Sequence, residues 1–169
     1  QDTMNSMDIL GALYREQGRF EAAEQQLKAT LEIRRRMLGA ERTQTLQTLN
    51  NLAIVYAQQG RYTNAADLFS ESLSIMKRVL GEEHPDTLSV MHNLGIAYTH
   101  LRRFAQAEAL QLRTLALRRR VLGTEHPATL TSMNNLSILY FNLGRRPEAE
   151  QLDQEILTIR LRVLGEDHT

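Results

Sequence analysis

Five histidines, at positions 84, 92, 100, 126 and 168, are the side chains of this 169-residue sequence best suited to metal binding or proton transfer. Their spacing fits neither. His84, His126 and His168 recur at a step of 42 residues, so successive copies stand on the order of 10 Å apart and cannot share a metal. The first two precede Pro85 and Pro127, which reads as linker and helix-start packing. His92 and His100 lie eight residues apart, two helical turns instead of the i, i+4 spacing of a helical metal site. For them, ligand contact and plain surface exposure both stand. The carboxylate pairs Glu82-Glu83 and Glu166-Asp167 have no His or Lys at fixed spacing that would tune a general acid. There is no Gly-rich phosphate loop and no serine in a nucleophile elbow. The absence of Cys removes thiolate nucleophiles, disulfides and Cys-ligated zinc together. These patterns predict a chain that is not an enzyme and needs no metal or cofactor.

Basic clusters are the next candidates. Arg34-Arg35-Arg36, Lys77-Arg78, Arg118-Arg119-Arg120, and Arg160 with Arg162 all fall where helices are predicted to end. Cations there interact favourably with the helix dipole, at about 0.3–1 kcal/mol each. The acidic positions Glu41, Glu83, Glu125 and Asp167 follow the recurring Arg by five residues and are placed for local pairing. A nucleic-acid surface is disfavoured, because 20 Lys+Arg balance 20 Asp+Glu and no aromatics are set out for base stacking. No apolar run approaches membrane-spanning length. The start, Gln1-Asp2-Thr3-Met4, has no signal-peptide pattern. A cysteine-free chain suits a cytoplasmic setting.

The 42-residue step organises the whole chain. It links the Leu-Gly pairs at 38–39, 80–81, 122–123 and 164–165, then Thr3, Thr45, Thr87 and Thr129. Leu10, Leu52, Leu94 and Leu136 follow it, as do Tyr14, Tyr56, Tyr98 and Tyr140, and Arg19, Arg61, Arg103 and Arg145. So do Ala23, Ala65, Ala107 and Ala149; Leu31, Leu73, Leu115 and Leu157; and Arg36, Arg78, Arg120 and Arg162. Four repeats are therefore expected, at about 1–42, 43–84, 85–126 and 127–169. Each carries two apolar stripes at helical spacing, such as Leu46, Leu49, Leu52, Ala53 and Tyr56, then Ala65, Leu68, Phe69, Leu73, Met76 and Leu80. These place a first helix, A, near 3–17, 45–59, 86–101 and 128–143. A second, B, lies near 20–38, 62–80, 104–122 and 147–164. Gly39, Gly81, Gly123 and Gly165 fall just past helix B, where a left-handed residue ends a helix. Gly18, Gly60 and Gly144 fall in the A–B turn. Gly11 and Gly95 sit inside helix A, where a small residue admits helix B closely. The class is all-α, with eight helices.

The run Asn50-Asn51-Leu52-Ala53, with Tyr56, Gly60-Arg61-Tyr62 and Ala65, resembles the tetratricopeptide repeat (TPR). The 42-residue period and the linker Leu80-Gly81-Glu82-Glu83-His84-Pro85 resemble its longer, kinesin-light-chain type. Similar arrays form sensor regions of multidomain signalling ATPases. The resemblance implies a right-handed α-solenoid of helix-turn-helix repeats, with A helices on a concave face. The linker pattern is cut at both ends, which fits a fragment of a longer array or multidomain protein. Uncapped stripes there, Met4, Met7 and Leu10 in one and Leu152, Ile156, Ile159 and Val163 in the other, predict homo-association.

Carrying over the family's ligand-facing A-helix positions gives Asn5, Asp8, Ala12, Arg15 and Glu16 in the first repeat. The second gives Gln47, Asn50, Asn51, Ile54, Ala57 and Gln58. The third gives Ser89, His92, Asn93, Ile96, Thr99 and His100, and the fourth Thr131, Asn134, Asn135, Ile138, Phe141 and Asn142. A carboxamide offers donor and acceptor together, so the Asn column at 51, 93 and 135 is suited to an extended peptide backbone. Ile54, Ile96 and Ile138 add an apolar floor. Packing of the Asn column between neighbouring helices stands as the alternative, and for Phe141 packing against a further repeat. The expectation is a non-enzymatic protein-interaction module that binds a peptide in this groove. A structural spacer or self-associating sensor arm is the second reading, and an RNA-binding solenoid the third. Arg15, His92 and His100 stand against Asp8 and Glu16, so no acidic or basic peptide preference follows.

Overall fold

The computed structural model describes residues 2–166, with side chains from 3 to 163. His168 and Asp167 lie outside them. Eight α-helices and no strand occur among the described residues: α1 (Asp2–Glu16), α2 (Phe20–Leu38), α3 (Thr43–Gln58), α4 (Tyr62–Val79), α5 (Pro85–His100), α6 (Phe104–Leu122), α7 (Pro127–Asn142) and α8 (Arg146–Glu166). Every expected helix is present within two residues of its expected bounds. Consecutive helices pack in pairs, and the chain is an all-α repeat array.

Two compact units divide it, Gln1–Ala97 and Tyr98–Thr169. In the first, Leu27, Leu46, Leu49, Phe69, Met76 and Leu88 are fully buried. Burying one such side chain contributes roughly 1.5–3 kcal/mol. Gly11 sits so close to α2 that an added Cβ would stand 2.8 Å from Leu27 Cδ2, as the small-residue column requires. In the second unit, Met133, Leu136, Leu139 and Tyr140 of α7 pack with Ile156 and Ile159 of α8, and Tyr98 and Phe104 close the edge.

The columns identical in all four repeats are structural. Each Tyr carries the Arg five residues on over its ring, at 4.4 Å for Arg19 on Tyr14, 4.2 Å for Arg61 on Tyr56, 5.8 Å for Arg103 on Tyr98 and 4.2 Å for Arg145 on Tyr140. The same Arg N–H donates to that Tyr carbonyl at 2.8–2.9 Å, and the Arg carbonyl accepts from the recurring Ala of helix B. Tyr, Arg and Ala thus form one turn. The recurring Thr ties the linker down: Thr45 and Thr129 donate to the carbonyls of Gly39 and Gly123, each at 2.8 Å.

The linker histidines behave as helix starts. His126 caps α7, its Nδ1 accepting from the Ala128 N–H at 3.1 Å, and His84 Nδ1 accepts from the Asp86 N–H at 3.2 Å.

Three local expectations are corrected. Gly39 and Gly123 have positive φ but ψ near 160° (φ 94, ψ 160 and φ 90, ψ 164), an extended mirror conformation open to glycine alone, and not the left-handed helical one. Helix α8 runs through Gly165 to Glu166 and does not stop before it. Ile156 and Ile159 are buried because they face α7 in their own repeat, so the exposed stripe of α8 is Leu157 and Leu161 instead.

Candidate functional site

The basic helix ends were expected to answer their own helix dipoles, and two of them do something else. Arg34 is buried, and its Nη1 lies 2.7 Å from Asp8 Oδ2 on α1. The same nitrogen donates to the Gln44 carbonyl at 2.6 Å and to Thr48 Oγ1 at 3.1 Å on α3, while Nη2 donates to Asn5 Oδ1 at 2.8 Å. Thr48 Oγ1 lies 3.0 Å from Asp8 Oδ1, to which its hydroxyl donates. Burial pushes the Asp8 carboxyl above its ordinary value, and the Thr48 hydrogen bond and the Arg34 charge only partly offset this. Arg118 repeats the arrangement in the second unit, donating to the Ala128 carbonyl at 2.8 Å and to Ser132 Oγ at 2.7 Å. Burial lowers its pKa. Asn5 and Asp8 are therefore engaged in holding helices together, which removes them from the projected ligand face. The signal was present in sequence: where Met76 takes the Arg position, Val90 takes the Thr/Ser position.

The acidic linker residues also pair differently from expectation. Glu41 meets Arg78, at 2.6 Å, and Glu125 meets Arg162. Each reaches the recurring Arg of the following repeat, because the linker folds back beside the next helix B. Further pairs join successive B helices or turns: Glu24 to Arg61 at 2.7 Å, Arg35 to Glu71 at 2.5 Å, Arg119 to Glu155 at 2.8 Å and Glu108 to Arg145 at 2.6 Å.

With these residues accounted for, the A-helix faces remain. In the first unit, Gln47, Gln58 and Ser89 are exposed, and Asn50, Asn51, Ile54, His92, Asn93 and Ile96 are half-buried on α3 and α5. The carboxamides of Asn51 and Asn93 have no hydrogen-bond partner among the described residues. Asn50 Oδ1 is buried without a donor. In the second unit, His100 is exposed at the end of α5. On α7, Thr131, Asn134, Ile138 and Phe141 are exposed and Asn135 is half-buried. Phe141 is 63% exposed. The hydroxyls of Ser89 and Thr131 donate back to Pro85 and Pro127 of their own helices at 2.9 and 2.8 Å. The faces thus offer amides and apolar side chains. Among the described residues no group of three His, Asp or Glu is placed to hold a metal, and no helix is long and apolar enough to cross a membrane.

A tetratricopeptide-repeat family model matches residues 2–78, 44–113 and 93–162. The chain belongs to the tetratricopeptide-repeat family, whose repeats generally mediate protein–protein interaction and whose fold is typically a non-catalytic interaction module. No curated protein matches it. Among solved structures it is similar to the nearly identical TPR-like repeats of a Podosopora anserina protein described as a kinesin light chain. That pair shares 26% identity over 96% of this chain and 76% of the other, with a TM-score of 0.84. It also resembles BtubC (BKLC) from P. vanneervenii, at 24% identity and a TM-score of 0.86, covering 96% of this chain and 65% of that one. The apo form of RapI shares the fold at 16% identity and a TM-score of 0.83, over 99% of this chain and 59% of RapI. The kinesin-light-chain type read from the linker is thereby supported.

Proposed function

We propose that this chain is a non-enzymatic protein-interaction module of the cytoplasm, holding a peptide segment of its partner on the A-helix faces. The observation that carries the reading is the pair Asn51 and Asn93. Both carboxamides are half-buried beside Ile54 and Ile96 and have no partner within the chain among the described residues. A half-dry amide without a partner loses hydrogen-bond energy unless a ligand or ordered water supplies it, and a peptide backbone matches its donor–acceptor pair. Gln47, Asn50, Gln58, Ser89 and His92 would border that segment in the first unit. In the second, Ile138 and Phe141 would take apolar side chains, with His100, Thr131, Asn134 and Asn135 as polar neighbours. The basic helix ends support a protein partner over a nucleic acid, since Arg34 and Arg118 are buried and Arg35, Arg78, Arg119 and Arg162 are ion-paired.

Selection from a displayed library of random peptides tests the reading. A peptide enriched on the first unit should lose binding to Asn51→Ala/Asn93→Ala, and one enriched on the second to Phe141→Ala, while helicity by circular dichroism is unchanged. Failure to enrich any peptide, or enrichment indifferent to these substitutions, overturns it.

A further inference from the structure

Charge is unevenly placed in this chain. α3 and α7 contain no Asp, Glu, Lys or Arg, and α5 contains only Asp86, in its first turn. Yet the sequence as a whole is 24% charged. The intervening helices carry charge on their exposed sides, as Glu32 and Arg35 do on α2, Asp67 and Glu71 on α4, and Arg113 and Arg120 on α6. The solvent-facing side of a helix ordinarily holds such residues. On α3 and α5 it holds amides and hydroxyls in their place. Gln47, Gln58 and Ser89 are exposed, and Asn51 and Asn93 are half-buried beside Ile54 and Ile96.

Folding does not impose this neutrality. The same columns hold charge on α1, where Asp8, Arg15 and Glu16 stand 42 residues before Asn50, Ala57 and Gln58, and that segment is helical from Asp2 to Glu16. Asp86 sits at the helix start, its Oδ2 4.0 Å from His84 Nδ1, where the helix dipole favours a carboxylate. Among the projected ligand-facing positions of α3 and α5 in the first unit, His92 is the one that can gain charge near neutral pH.

A charged side chain set down on such a surface gives up water and meets no counter-charge, so it is disfavoured whatever its sign. A peptide backbone and an aliphatic side chain meet no such penalty. Asn51 and Asn93 supply donors and acceptors, and Ile54 and Ile96 supply apolar contact.

We propose that the α3 and α5 faces take an uncharged partner segment, aliphatic where it meets Ile54 and Ile96 and without Asp, Glu, Lys or Arg where it meets the amides. The inference rests on the peptide-binding reading and adds the class of peptide. Selectivity comes from exclusion of charge, and affinity is insensitive to salt because no ion pair forms across the contact.

Selection on the full chain from a displayed library of random peptides, at about pH 8 where an ordinary imidazole is uncharged, tests it. Peptides whose binding is lost in Asn51→Ala/Asn93→Ala define the ligands of this face. Their contact positions, found by alanine scanning of the peptide, should be depleted in Asp, Glu, Lys and Arg relative to the input library. In a selected peptide, Asp or Lys at a contact position should each raise Kd about tenfold or more. The Kd of the unaltered peptide should change less than about twofold between about 50 and 500 mM salt. Gln47→Lys/Ser89→Lys places positive charge at two exposed positions, and circular dichroism checks that it remains helical. Selection on that variant should shift to acidic peptides. Asn-dependent peptides with charged contact positions overturn this inference and leave the peptide-binding reading standing. So do tolerance of Asp or Lys at the contact positions, a Kd that rises steeply with salt, and an unchanged pool on Gln47→Lys/Ser89→Lys. A selection that yields no Asn-dependent peptide overturns both.

Discussion

Arg34 Nη1 stands 2.7 Å from Asp8 Oδ2, so a cation at the end of α2 is held by the preceding helix rather than by its own carbonyls. Thr48 and the Gln44 carbonyl on α3 also accept from it, and one guanidinium joins three helices.

The second repeat builds the same position from Met76 and Val90, which supplies a designed replacement. Arg34→Ala should destabilise the protein by roughly 3–5 kcal/mol, because it strands Asp8 and Thr48 without their donor. The triple change Arg34→Met/Thr48→Val/Asp8→Asn, copying Met76, Val90 and Asn50, should be neutral or stabilising, since buried ion pairs rarely outperform well-packed apolar groups. Urea unfolding measures both; a loss in the triple variant as large as in Arg34→Ala would show that the ion pair itself is needed.

Acid should weaken the array through its paired glutamates. Burial pushes the Glu24 carboxyl up, but hydrogen bonds from Lys28 and Gln59 and the Lys28 and Arg61 charges outweigh it, leaving it below its ordinary value of 4.5. Hydrogen bonds and charge from Arg78 and Arg145 likewise hold Glu41 and Glu148 low. A lowered folded value means stability that is present above 4.5 and lost as pH falls through the folded value. Asp8 has the opposite sign: its raised value contributes stability below its ordinary 3.8 that is lost as pH rises through the folded value. Unfolding free energy from pH 7 to 3 should therefore fall overall, and Glu24→Gln should flatten that fall. An equal slope in the variant would rule out Glu24 as a contributor.

Arg102 has φ 58, in a turn where Gly18, Gly60 and Gly144 have φ 71, 75 and 74. A side chain in the left-handed region is strained, by about 1 kcal/mol or more. Arg102→Gly should raise the midpoint of thermal unfolding, with a gain of about 0.5–1 kcal/mol after the extra chain entropy of glycine is counted. Gly60→Ala should lose about 1 kcal/mol although no atom lies within 4 Å of the new Cβ. A neutral result for Gly60→Ala would locate the constraint elsewhere.

The His126 side chain serves α7 through its ring acceptor, beside the backbone carbonyl that accepts from Thr129 and Leu130. His126→Ala should cost about 1 kcal/mol, and His126→Asp should restore the cap and favour the helix dipole. If alanine and aspartate behave alike in denaturant melts, the Nδ1 contact contributes nothing.

Repeat length, helix bounds, the close approach at Gly11 and the helix-start role of His84 and His126 were legible because each is a local signal copied from repeat to repeat. Burial of Arg34 and Arg118 was not, because an Arg in the last turn of a helix looks the same whether it answers its own carbonyls or a neighbouring helix. Only the exchange to Met76 and Val90 separates the cases, and it is read across repeats. The partners of Glu41 and Glu125 were misjudged for the same reason: five residues along the chain is nearer in sequence, and the next repeat is nearer in space. On the A-helix faces, residue type alone could not separate Asp8, engaged by Arg34, from Asn51 and Asn93, which no described side chain engages.

The affinity of a library-selected peptide for Asn51→Ala/Asn93→Ala tests the binding face most directly. Each amide removed leaves peptide groups unpaired at about 1–3 kcal/mol, so calorimetric titration should show the Kd rising at least tenfold, with the melting temperature nearly unchanged. An unchanged Kd, or an array that unfolds on substitution, would show instead that the two asparagines are struts between helices and not a ligand site.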